Sequence, residues 1–396
     1  MKNNNWRLPP GVEELLPPRA RILELVRREV LDIFNRWGFD YVEPPLIEYT
    51  DALLLETGSD LDLQTLKVID QQSGRMMGVR ADMTSQAVRI DAHSLVPEKG
   101  DDAHRVQRLC YAGSVVHAKP MGVLESRVPF RAGAEIFGVA GLEADAEVIA
   151  LMIEVLAAMG IQSPVLVLGH MGIYQALAAG LALDATTERA LFAAVQNKSE
   201  TDIRQLLPAS DLTDMLIALP AMMGRDDALK RARQQFASAP SGVVQALDVL
   251  PDLASRIRAR APQVEVRFDL AELAGYGYHN GPVFAAFHAD QGRSVARGGR
   301  YDGIGKVFGR ARPATGFDVN LTQLQYRNGQ PVLSIWAPNV VANRDQLLDA
   351  VAQCRAAGER VIVGLTNDEK APGECNRKLV WIDGSWQLQA IEETST

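Results

Sequence analysis

The first clear hydrophobic pattern along the chain is helical. Apolar residues recur three or four positions apart between residues 22 and 37, and Gly38 follows, where a helix end favours a residue without a Cβ atom. The next stretch, FDYVEPPLIEY, is strand-like but contains Pro44 and Pro45, which cannot donate to a β-ladder. We therefore expect this strand at a sheet edge or an interface, and the helix and edge strand together predict a dimer surface.

The pattern then alternates between strands and helices. Short strands between residues 65 and 139 lead into a predicted helix from Glu143 to Met159, which Gly160 ends, and a buried strand follows in SPVLVLGH. Residues from about 173 to 261 are rich in Ala and Leu and almost wholly helical, with Ser199 and Asp202 at the spacing of a capping box. Strands return in VEVRFDL, in PVFAAFHA and in the stretch that begins at Gly298.

The last part of the chain predicts a separate small unit. Residues 327–330 (RNGQ) are typical of a linker, and the following pattern is strand, helix, strand and then a hairpin with a turn at Asp383-Gly384. We therefore predict a main domain over residues 1–326, with a helical insertion at about 173–261, and a small α/β domain over residues 331–396.

Composition narrows the class of protein. The chain has 396 residues, 47% of them hydrophobic and 23% charged, as expected for a well-packed globular protein. Its net charge of −8 gives no overall field for nucleic acid, and its three scattered cysteines indicate neither disulfides nor a zinc site. The sequence has no signal-peptide core at its start and no long apolar run, so we expect a cytoplasmic protein without a membrane span.

A glycine-rich stretch begins with GGRYDG. Gly298, Gly299 and Gly303 are typical of a backbone that comes close to a phosphate group. A phosphate site also needs cations, yet the closing segment from Gly316 to Leu324 contains none. The glycines could instead occupy turns with positive φ angles, and the missing cations favour that structural role.

Five motifs stand in a fixed order along the chain: RAD at residues 80–82, RLCYAGSVV from Arg108, GAEIFG from Gly133, YGYHNGPVF from Tyr276 and GGRYDG from Gly298. In order and spacing they resemble histidyl-tRNA synthetase over roughly residues 8–325. The resemblance implies an α+β fold of the class II aminoacyl-tRNA synthetase type. In that fold an antiparallel sheet is flanked by helices, and two copies pair through the first helix and the edge strand. Here the helical insertion and the small C-terminal α/β unit would be added to it.

The same resemblance identifies missing cations. Class II synthetases surround the α-phosphate of ATP with arginines, because negative charge accumulates there in the transition state. In this chain His117 stands where the second motif has its arginine, and Lys119 where that motif has its acid. Ala274 and Gln323 replace two further arginines. Removing one such contact typically costs about 3–4 kcal/mol, so three losses predict no adenylation and no catalytic residue.

The amino-acid side of the synthetase site is partly kept. Asp82 stands where the synthetase has a glutamate facing the substrate's amino group, and Thr84 follows it as in that family. Glu135 keeps its place in the EIFG strand, while Tyr278 and His279 replace paired tyrosines. An acid, a hydroxyl and an aromatic wall suit an α-amino group and an imidazole. The resemblance therefore implies a pocket for free histidine.

Several side chains of this pocket have competing interpretations. Arg131 replaces a glutamine and would either fill the pocket or bind a carboxylate, a role also open to Arg127. Asp82 could instead pair with Arg80 or cap a turn, and Glu135 could have a protein partner, because an unpaired buried charge is costly. His279 could be a packed polar residue. The candidate histidine site is Asp82, Thr84, Arg127, Arg131, Glu135, Tyr278 and His279.

A synthetase-like chain without these arginines resembles the regulatory subunit of ATP phosphoribosyltransferase. RADMTSQAVRIDAH also fits that family, because true synthetases have Arg-Pro-Glu in place of Arg-Ala-Asp. The resemblance implies a non-catalytic subunit in the first step of histidine biosynthesis. It would activate a short-form catalytic subunit and mediate feedback inhibition by histidine, in a hetero-octamer with four of each chain, without cofactor or metal. Two alternatives are a divergent synthetase-like ligase and a tRNA-binding module. The missing arginines argue against the ligase, and the net negative charge of the chain argues against the tRNA-binding module.

Overall fold

The computed structural model describes residues 7–54, 59–95, 105–120, 122, 125–273, 278–289, 292–323 and 333–391. The chain divides into two compact units, Met1–Gln325 and Tyr326–Thr396, and each is described by itself. The linker predicted at residues 327–330 lies outside the described residues. In the described part of the chain, no helix is both long enough and apolar enough to cross a membrane.

The first unit contains most of the secondary structure. Its strands are β1 (Asp40–Tyr41), β2 (Ile47–Tyr49), β3 (Leu66–Ile69), β4 (Met76–Val79), β5 (Gln107–Ser114), β6 (Phe130–Phe137), β7 (Val165–His170), β8 (Met223–Gly224), β9 (Glu265–Asp269), β10 (Pro282–Phe287), β11 (Ser294–Arg300) and β12 (Ala314–Asn320). Its α-helices are α1 (Arg19–Arg36), α2 (Thr50–Leu53), α3 (Ser59–Gln64), α4 (Thr84–Arg89), α5 (Leu142–Ala158), α6 (Met171–Ala179), α7 (Ala185–Gln196), α8 (Glu200–Leu206), α9 (Asp211–Ala218), α10 (Asp226–Gln235) and α11 (Ser241–Arg260). A π-helix spans Ile90–Ser94, and 3-10 turns span Leu219–Ala221, Ile304–Phe308 and Leu321–Gln323.

The central sheet of the first unit has nine strands among the described residues, in the order β1-β5-β6-β12-β11-β10-β7-β9-β8. The pairs β1–β5 and β7–β9 are parallel, and the other neighbours are antiparallel. The sheet is flanked by helices, with α1 and α5 packed against it. The centre of this sheet, β5-β6-β12-β11, carries the residues discussed below.

The two faces of the sheet differ in character because side chains alternate along each strand. On β6, Ala132, Ala134 and Ile136 belong to the large apolar core that also contains α1 and α5. Arg131 and Glu135 project from the opposite face, next to a smaller apolar cluster from α4, β5 and β12. Two charged residues four positions apart on an otherwise apolar strand therefore mark the face that carries the candidate site.

The predicted helices are confirmed with small shifts at their ends. α1 runs from Arg19 to Arg36, and Gly38 has a φ angle of 76°, as its place after a helix predicts. α5 begins at Leu142, and Gly160 after it also has a positive φ. The Ser199 side chain accepts a hydrogen bond from the backbone N–H of Asp202, so the predicted cap of α8 forms.

The glycines of GGRYDG correct one expectation. Gly298 and Gly299 lie inside β11 and, like Gly303, do not have positive φ angles. A Cβ atom at Gly298 would overlap the carbonyl oxygen of Gly316 and lie 2.5 Å from the ring of Phe284. At least in β11, the glycines allow close packing of strands and rings rather than a left-handed turn.

Two prolines separate the short strands after α1. β1 is the edge strand of the central sheet, and β2 is an edge of a three-stranded sheet with the order β2-β4-β3. Pro44 and Pro45 lie between β1 and β2, where the backbone leaves one sheet and enters the other. The prediction of an edge location is therefore confirmed, although the single strand expected from FDYVEPPLIEY is two short strands.

The second unit is a small α/β structure. Its strands are β13 (Ser334–Ala337), β14 (Val361–Val363), β15 (Cys375–Ile382) and β16 (Ser385–Ala390), and its helix is α12 (Arg344–Ala356). The sheet order is β14-β13-β15-β16. The predicted hairpin joins β15 to β16, and Asp383 and Gly384 have φ angles of 47° and 81°, as a two-residue hairpin turn requires.

Candidate functional site

A buried carboxylate forms the centre of the candidate site. Glu135 on β6 is 1% exposed, and each of its oxygens accepts a hydrogen bond from a tyrosine. The Tyr111 hydroxyl lies 2.9 Å from Oε1, and the Tyr301 hydroxyl lies 2.5 Å from Oε2. Thr84, at the start of α4, extends this network, because its hydroxyl is 3.0 Å from that of Tyr111. Glu135 therefore has protein partners, which was one of its two predicted interpretations.

Burial controls the protonation of these groups. It raises the pKa of Glu135 to about 8, an effect that the two tyrosine hydrogen bonds only partly oppose. Burial also raises the pKa of Tyr111 and of Tyr301 well above 10, so both hydroxyls keep their protons and donate. At neutral pH the Glu135 carboxyl is thus largely protonated. With both tyrosines donating to it, its own O–H can donate to a further acceptor.

Asp82 lies beside this network and caps a turn. Its Oδ1 accepts a hydrogen bond from the backbone N–H of Thr84 at 3.1 Å. Burial raises the pKa of Asp82, and the negative charge of Asp318 adds to the effect. Arg80 does not pair with it, because the Arg80 guanidinium donates to the carbonyl oxygens of Ser114 and Pro44. Of the competing structural roles, turn capping is the one observed.

Arg131 provides a positive charge next to these carboxyl groups. Its guanidinium pairs with Asp318 on the neighbouring strand β12, and this charge raises the pKa of Arg131. Both side chains are roughly three-quarters buried. The positive charge of Arg131 also acts on Asp82, where it partly opposes the burial that raises the pKa of that carboxyl.

Tyr278 and His279 form an aromatic wall with Tyr301. The ring centroids of Tyr278 and Tyr301 are 5.0 Å apart, and those of Tyr278 and His279 are 4.9 Å apart. Burial lowers the pKa of His279 to about 4, so its ring is neutral. Nδ1 of His279 is buried without a hydrogen-bond partner among the described residues, and the buried Tyr278 hydroxyl lies close to that of Thr84 without a hydrogen bond of good geometry. Two buried polar atoms of this kind are suited to a polar ligand.

Arg127 lies apart from this group. Its guanidinium donates to the backbone carbonyl oxygens of His117 at 2.9 Å and of Pro10 at 3.4 Å. It therefore holds the segment before α1 against the strand connection that follows β5. The other six predicted site residues lie on one face of β5, β6 and β12. Among them, Arg131 is joined to the group by its ion pair with Asp318.

Two residues at synthetase arginine positions lie near the same strands. His117 is 3% exposed, its Nε2 lies 3.2 Å from the carbonyl oxygen of Ala81, and burial lowers its pKa. Lys119 is exposed. Gln323 lies in the 3-10 turn after β12, whereas Ala274 lies outside the described residues. At the second-motif position the chain thus has a neutral ring held by the backbone.

A cavity of about 450 Å³ opens beside Arg131. It is lined by Glu13, Arg19, His117, Glu125, Ser126, Pro129, Arg131, Arg293, Ser294, Val295, Ala296, Arg297, Asp318, Asn320, Thr322 and Gln323. The residues that replace two of the synthetase arginines, His117 and Gln323, therefore face a common space with Arg131.

Sequence reasoning missed three residues of the site: Tyr111, Tyr301 and Asp318. Tyr111 and Tyr301 lie in the quoted motifs RLCYAGSVV and GGRYDG, but no role was assigned to them. A signal did exist, because a carboxylate on an apolar strand needs donors and tyrosine hydroxyls can supply them. Asp318 could not have been paired with Arg131 without knowing that β6 and β12 are neighbours.

Comparisons with known proteins identify the family. A family model for histidyl-tRNA synthetase matches residues 11–324, and one for the C-terminal domain of ATP phosphoribosyltransferase subunit HisZ matches residues 332–389. The chain is 47% identical over 397 residues to the ATP phosphoribosyltransferase regulatory subunit of Alkalilimnicola ehrlichii, covering 97% of this chain and 96% of that protein. The chain belongs to the ATP phosphoribosyltransferase regulatory subunit family. Its relative in Pseudomonas aeruginosa is 46% identical and covers 98% of both chains.

Solved structures agree with this family and with the predicted α+β fold, which is confirmed. An ATP phosphoribosyltransferase regulatory subunit/histidyl-tRNA synthetase from Bacillus halodurans superposes with a TM-score of 0.80 at 26% identity, over 94% of this chain and 96% of that one. Histidyl-tRNA synthetase from Nostoc has a TM-score of 0.76 at 17% identity, over 96% and 92% of the two chains. At 17% identity, the similarity to the Nostoc synthetase shows a shared fold and nothing further.

Proposed function

We propose that this chain is the regulatory subunit of a short-form ATP phosphoribosyltransferase in the first step of histidine biosynthesis. In this role it binds and activates a separate catalytic chain, which carries the enzymatic activity, and it mediates feedback inhibition by histidine. The names of its relatives over nearly the whole chain support the role. The match of residues 332–389 to the HisZ C-terminal domain supports it independently.

The observation that carries the non-catalytic part of the proposal is the state of His117. The ring is buried, its pKa is lowered, and one of its nitrogens is engaged with the Ala81 carbonyl oxygen. A neutral ring cannot supply the positive charge that an α-phosphate needs during amino-acid activation. Gln323, at another synthetase arginine position, is likewise uncharged.

We also propose that free histidine is the effector and binds beside Glu135. The neutral Glu135 carboxyl can donate to an unprotonated imidazole nitrogen, and the Tyr278 hydroxyl and Nδ1 of His279 have unused hydrogen-bonding capacity. Asp82 and Thr84 would receive the α-amino group, and Arg131 would face the carboxylate. Arg127 would act only indirectly, through its contact with the backbone of His117.

The proposed assembly is a dimer of this chain within a hetero-octamer of four regulatory and four catalytic chains in the cytoplasm. An apolar face on the sheet β2-β4-β3 supports the dimer, since Ile47, Leu66 and Val68 are exposed there. Binding of tRNA is not part of this proposal, because the chain carries a net charge of −8.

The decisive experiment is reconstitution with a short-form catalytic subunit. We expect the catalytic chain to gain activity when this chain is added, and histidine to inhibit the mixture more strongly than the catalytic chain alone. Glu135→Ala and Asp82→Ala should weaken histidine binding in calorimetry and reduce inhibition, while Glu200→Ala, a change on the exposed surface of α8, should not. If no complex forms and activity is unchanged, the regulatory role is wrong.

A second measurement separates the alternative functions. Histidine-dependent pyrophosphate exchange above the level without protein would identify a ligase, and a saturable shift of tRNA in a gel would identify an RNA-binding module. We expect neither. If the complex forms and is activated but Glu135→Ala and Asp82→Ala leave histidine inhibition intact, only the proposed location of the effector is wrong.

A further inference from the structure

The cavity beside Arg131 contains several buried polar atoms without a protein partner. Nδ1 of His117, Nε of Arg131 and Oε1 of Gln323 are each buried, and none makes a hydrogen bond to any residue that the structure describes. All three side chains line the same space of about 450 Å³. Buried polar groups in folded proteins are nearly always paired, so three in one cavity indicate a ligand with matching groups.

The hydrogen-bonding character of His117 follows from its contact with the backbone. The carbonyl oxygen of Ala81 can only accept, so the Nε2 atom that contacts it must carry the proton. Because burial lowers the pKa of this histidine, the ring is neutral and Nδ1 has a free lone pair. Gln323 Oε1 is also an acceptor. The ligand must therefore bring hydroxyl or amine donors to this part of the cavity.

The charges of the cavity favour an anion. Three of its arginines have acidic partners: Arg131 pairs with Asp318, Arg293 with Glu125, and Arg19 with Glu13. Arg297 donates instead to the Ser294 hydroxyl at 2.6 Å, and outside the lining its charge acts on Glu272, where it opposes the burial that raises the pKa of that carboxyl. The lining thus has one arginine in excess of its acids, and Arg131 Nε–H adds a free donor.

The lining disfavours a nucleotide. The apolar residues of the lining are Pro129, Val295 and Ala296. Among the described lining residues, the only aromatic ring is that of His117, which is held by the backbone. A purine base is usually bound against larger apolar or aromatic surfaces. Polar groups dominate instead, as suits a small ligand rich in hydroxyl groups.

We propose that this cavity binds a small hydroxylated anion, such as a sugar phosphate or sugar acid. The anionic group would contact Arg297 and the Nε–H of Arg131, and hydroxyl groups would donate to His117 Nδ1 and Gln323 Oε1. The site is additional to the histidine pocket and borders it through Arg131. It does not depend on the proposed regulatory function, since the probes below contain no amino acid and need no catalytic subunit.

Calorimetry of the full chain with five probes tests this proposal: ribose 5-phosphate, ribonate, ribose, inorganic phosphate and AMP. We expect saturable binding of ribose 5-phosphate or ribonate, and their comparison identifies the anionic group. Ribose lacks the anionic group and inorganic phosphate lacks the sugar hydroxyl groups, so each should bind at least tenfold more weakly. AMP should not bind more tightly than ribose 5-phosphate. If neither hydroxylated anion binds, or if phosphate alone binds as tightly, the proposal is wrong.

Charge changes at Gln323 give a sharper test, because a negative and a positive charge at this position should have opposite effects on the binding of an anion. Gln323→Glu keeps the acceptor but adds a negative charge, so it should weaken binding of both hydroxylated anions more than tenfold. Gln323→Lys loses the acceptor but adds a positive charge, so it should strengthen binding of inorganic phosphate. Arg297→Gln should weaken binding about tenfold, and Arg204→Gln, an exposed arginine on α8 outside the cavity, should have no effect. Equal affinity in the Glu and Lys variants, with urea midpoints unchanged, would overturn the proposed site.

Discussion

Glu135 on β6 and Gly316 on β12 are directly paired across the central sheet, and a Cβ atom at Gly316 would overlap Oε2 of Glu135. The carboxylate can therefore lie over the neighbouring strand, where the Tyr301 hydroxyl reaches it. Gly133, paired with Tyr111 on the other side, similarly leaves space for the Tyr111 hydroxyl. The buried network depends on these two glycines as much as on its polar groups.

The first prediction concerns Gly316→Ala. The added methyl group must displace a carboxyl held by two tyrosines, so we expect the free energy of unfolding to fall by about 3 kcal/mol, the upper end for an overpacked core. Urea unfolding measures the change. Gly303→Ala is the matched control, since a Cβ there meets nothing within 4 Å, and it should stay within about 1 kcal/mol of the parent. Equal stability of the two variants would contradict the overlap.

The second prediction is a pH dependence caused by Glu135. The pKa of Glu135 is about 8 in the folded chain, whereas the ordinary value for a glutamate is 4.5. Folding therefore takes up a proton when the pH lies between these two values. The unfolded state then binds fewer protons, and this group lowers the parent's free energy of unfolding by about 1.4 kcal/mol per pH unit. Glu135→Gln removes this dependence. The variant should therefore gain stability relative to the parent from pH 5 to pH 8, by roughly 4 kcal/mol in total.

Urea unfolding of both proteins at several pH values tests this prediction. Glu24→Gln is a useful control, because the hydrogen bond from Arg28 lowers the pKa of Glu24. The contribution of Glu24 to the free energy of unfolding therefore changes with pH only at lower pH values. The difference between this control and the parent should be constant above pH 5. A constant difference for Glu135→Gln would mean that Glu135 is ionised throughout and that its tyrosine partners outweigh its burial.

The third prediction concerns the ion pair between Arg131 and Asp318. Both side chains are mostly buried, so a double-mutant cycle with Arg131→Gln and Asp318→Asn should give a coupling energy of about 1.5–3 kcal/mol. The exposed pair of Arg204 and Glu200 on α8 is the control, with an expected coupling of about 0.3–0.5 kcal/mol. Similar coupling in both pairs would show that solvent screens Arg131 and Asp318.

Local rules explain the elements that were predicted correctly from the sequence. The helix from Arg19 to Arg36 has a regular apolar spacing and a glycine at its end, and the hairpin turn at Asp383 and Gly384 needs residues that tolerate positive φ. These features depend on neighbours in sequence. The fold as a whole was recognised from motif order, which carries information that periodicity alone does not contain.

Non-local features explain what was missed. The glycines of β11 were assigned to turns because the sequence does not reveal that Phe284 and Gly316 pack against Gly298. Asp82, Thr84 and Glu135 are neighbours, as expected, but of their partners Tyr111 lies on β5 and Tyr301 directly follows β11, and the order of those strands is set by the sheet. Whether a buried acid faces a ligand or a tyrosine is decided by that order.

An apolar surface on the sheet β2-β4-β3 is the basis of the last prediction. The strand register places Ile47, Val79 and Leu66 in one row and Tyr49, Met77 and Val68 in another row of the same face. These side chains are only partly buried, although they are apolar or aromatic. The Arg75 guanidinium stacks on Tyr49, 3.6 Å from the ring centroid. An apolar surface such as the one formed by the other five side chains usually has a partner, and the proposed dimer would cover it.

We expect Val68→Glu to convert this dimer into a monomer. Val68 is 38% exposed in the single chain, so the substitution is tolerated by the monomer but places a charge in the proposed interface. A cost of about 3 kcal/mol would weaken association more than 100-fold, which sedimentation equilibrium would detect. Val244→Glu on α11 is the control, because Val244 is 44% exposed and lies outside this sheet. If Val68→Glu remains dimeric with its thermal midpoint unchanged, this face does not form the interface, and a monomeric parent would refute the dimer itself.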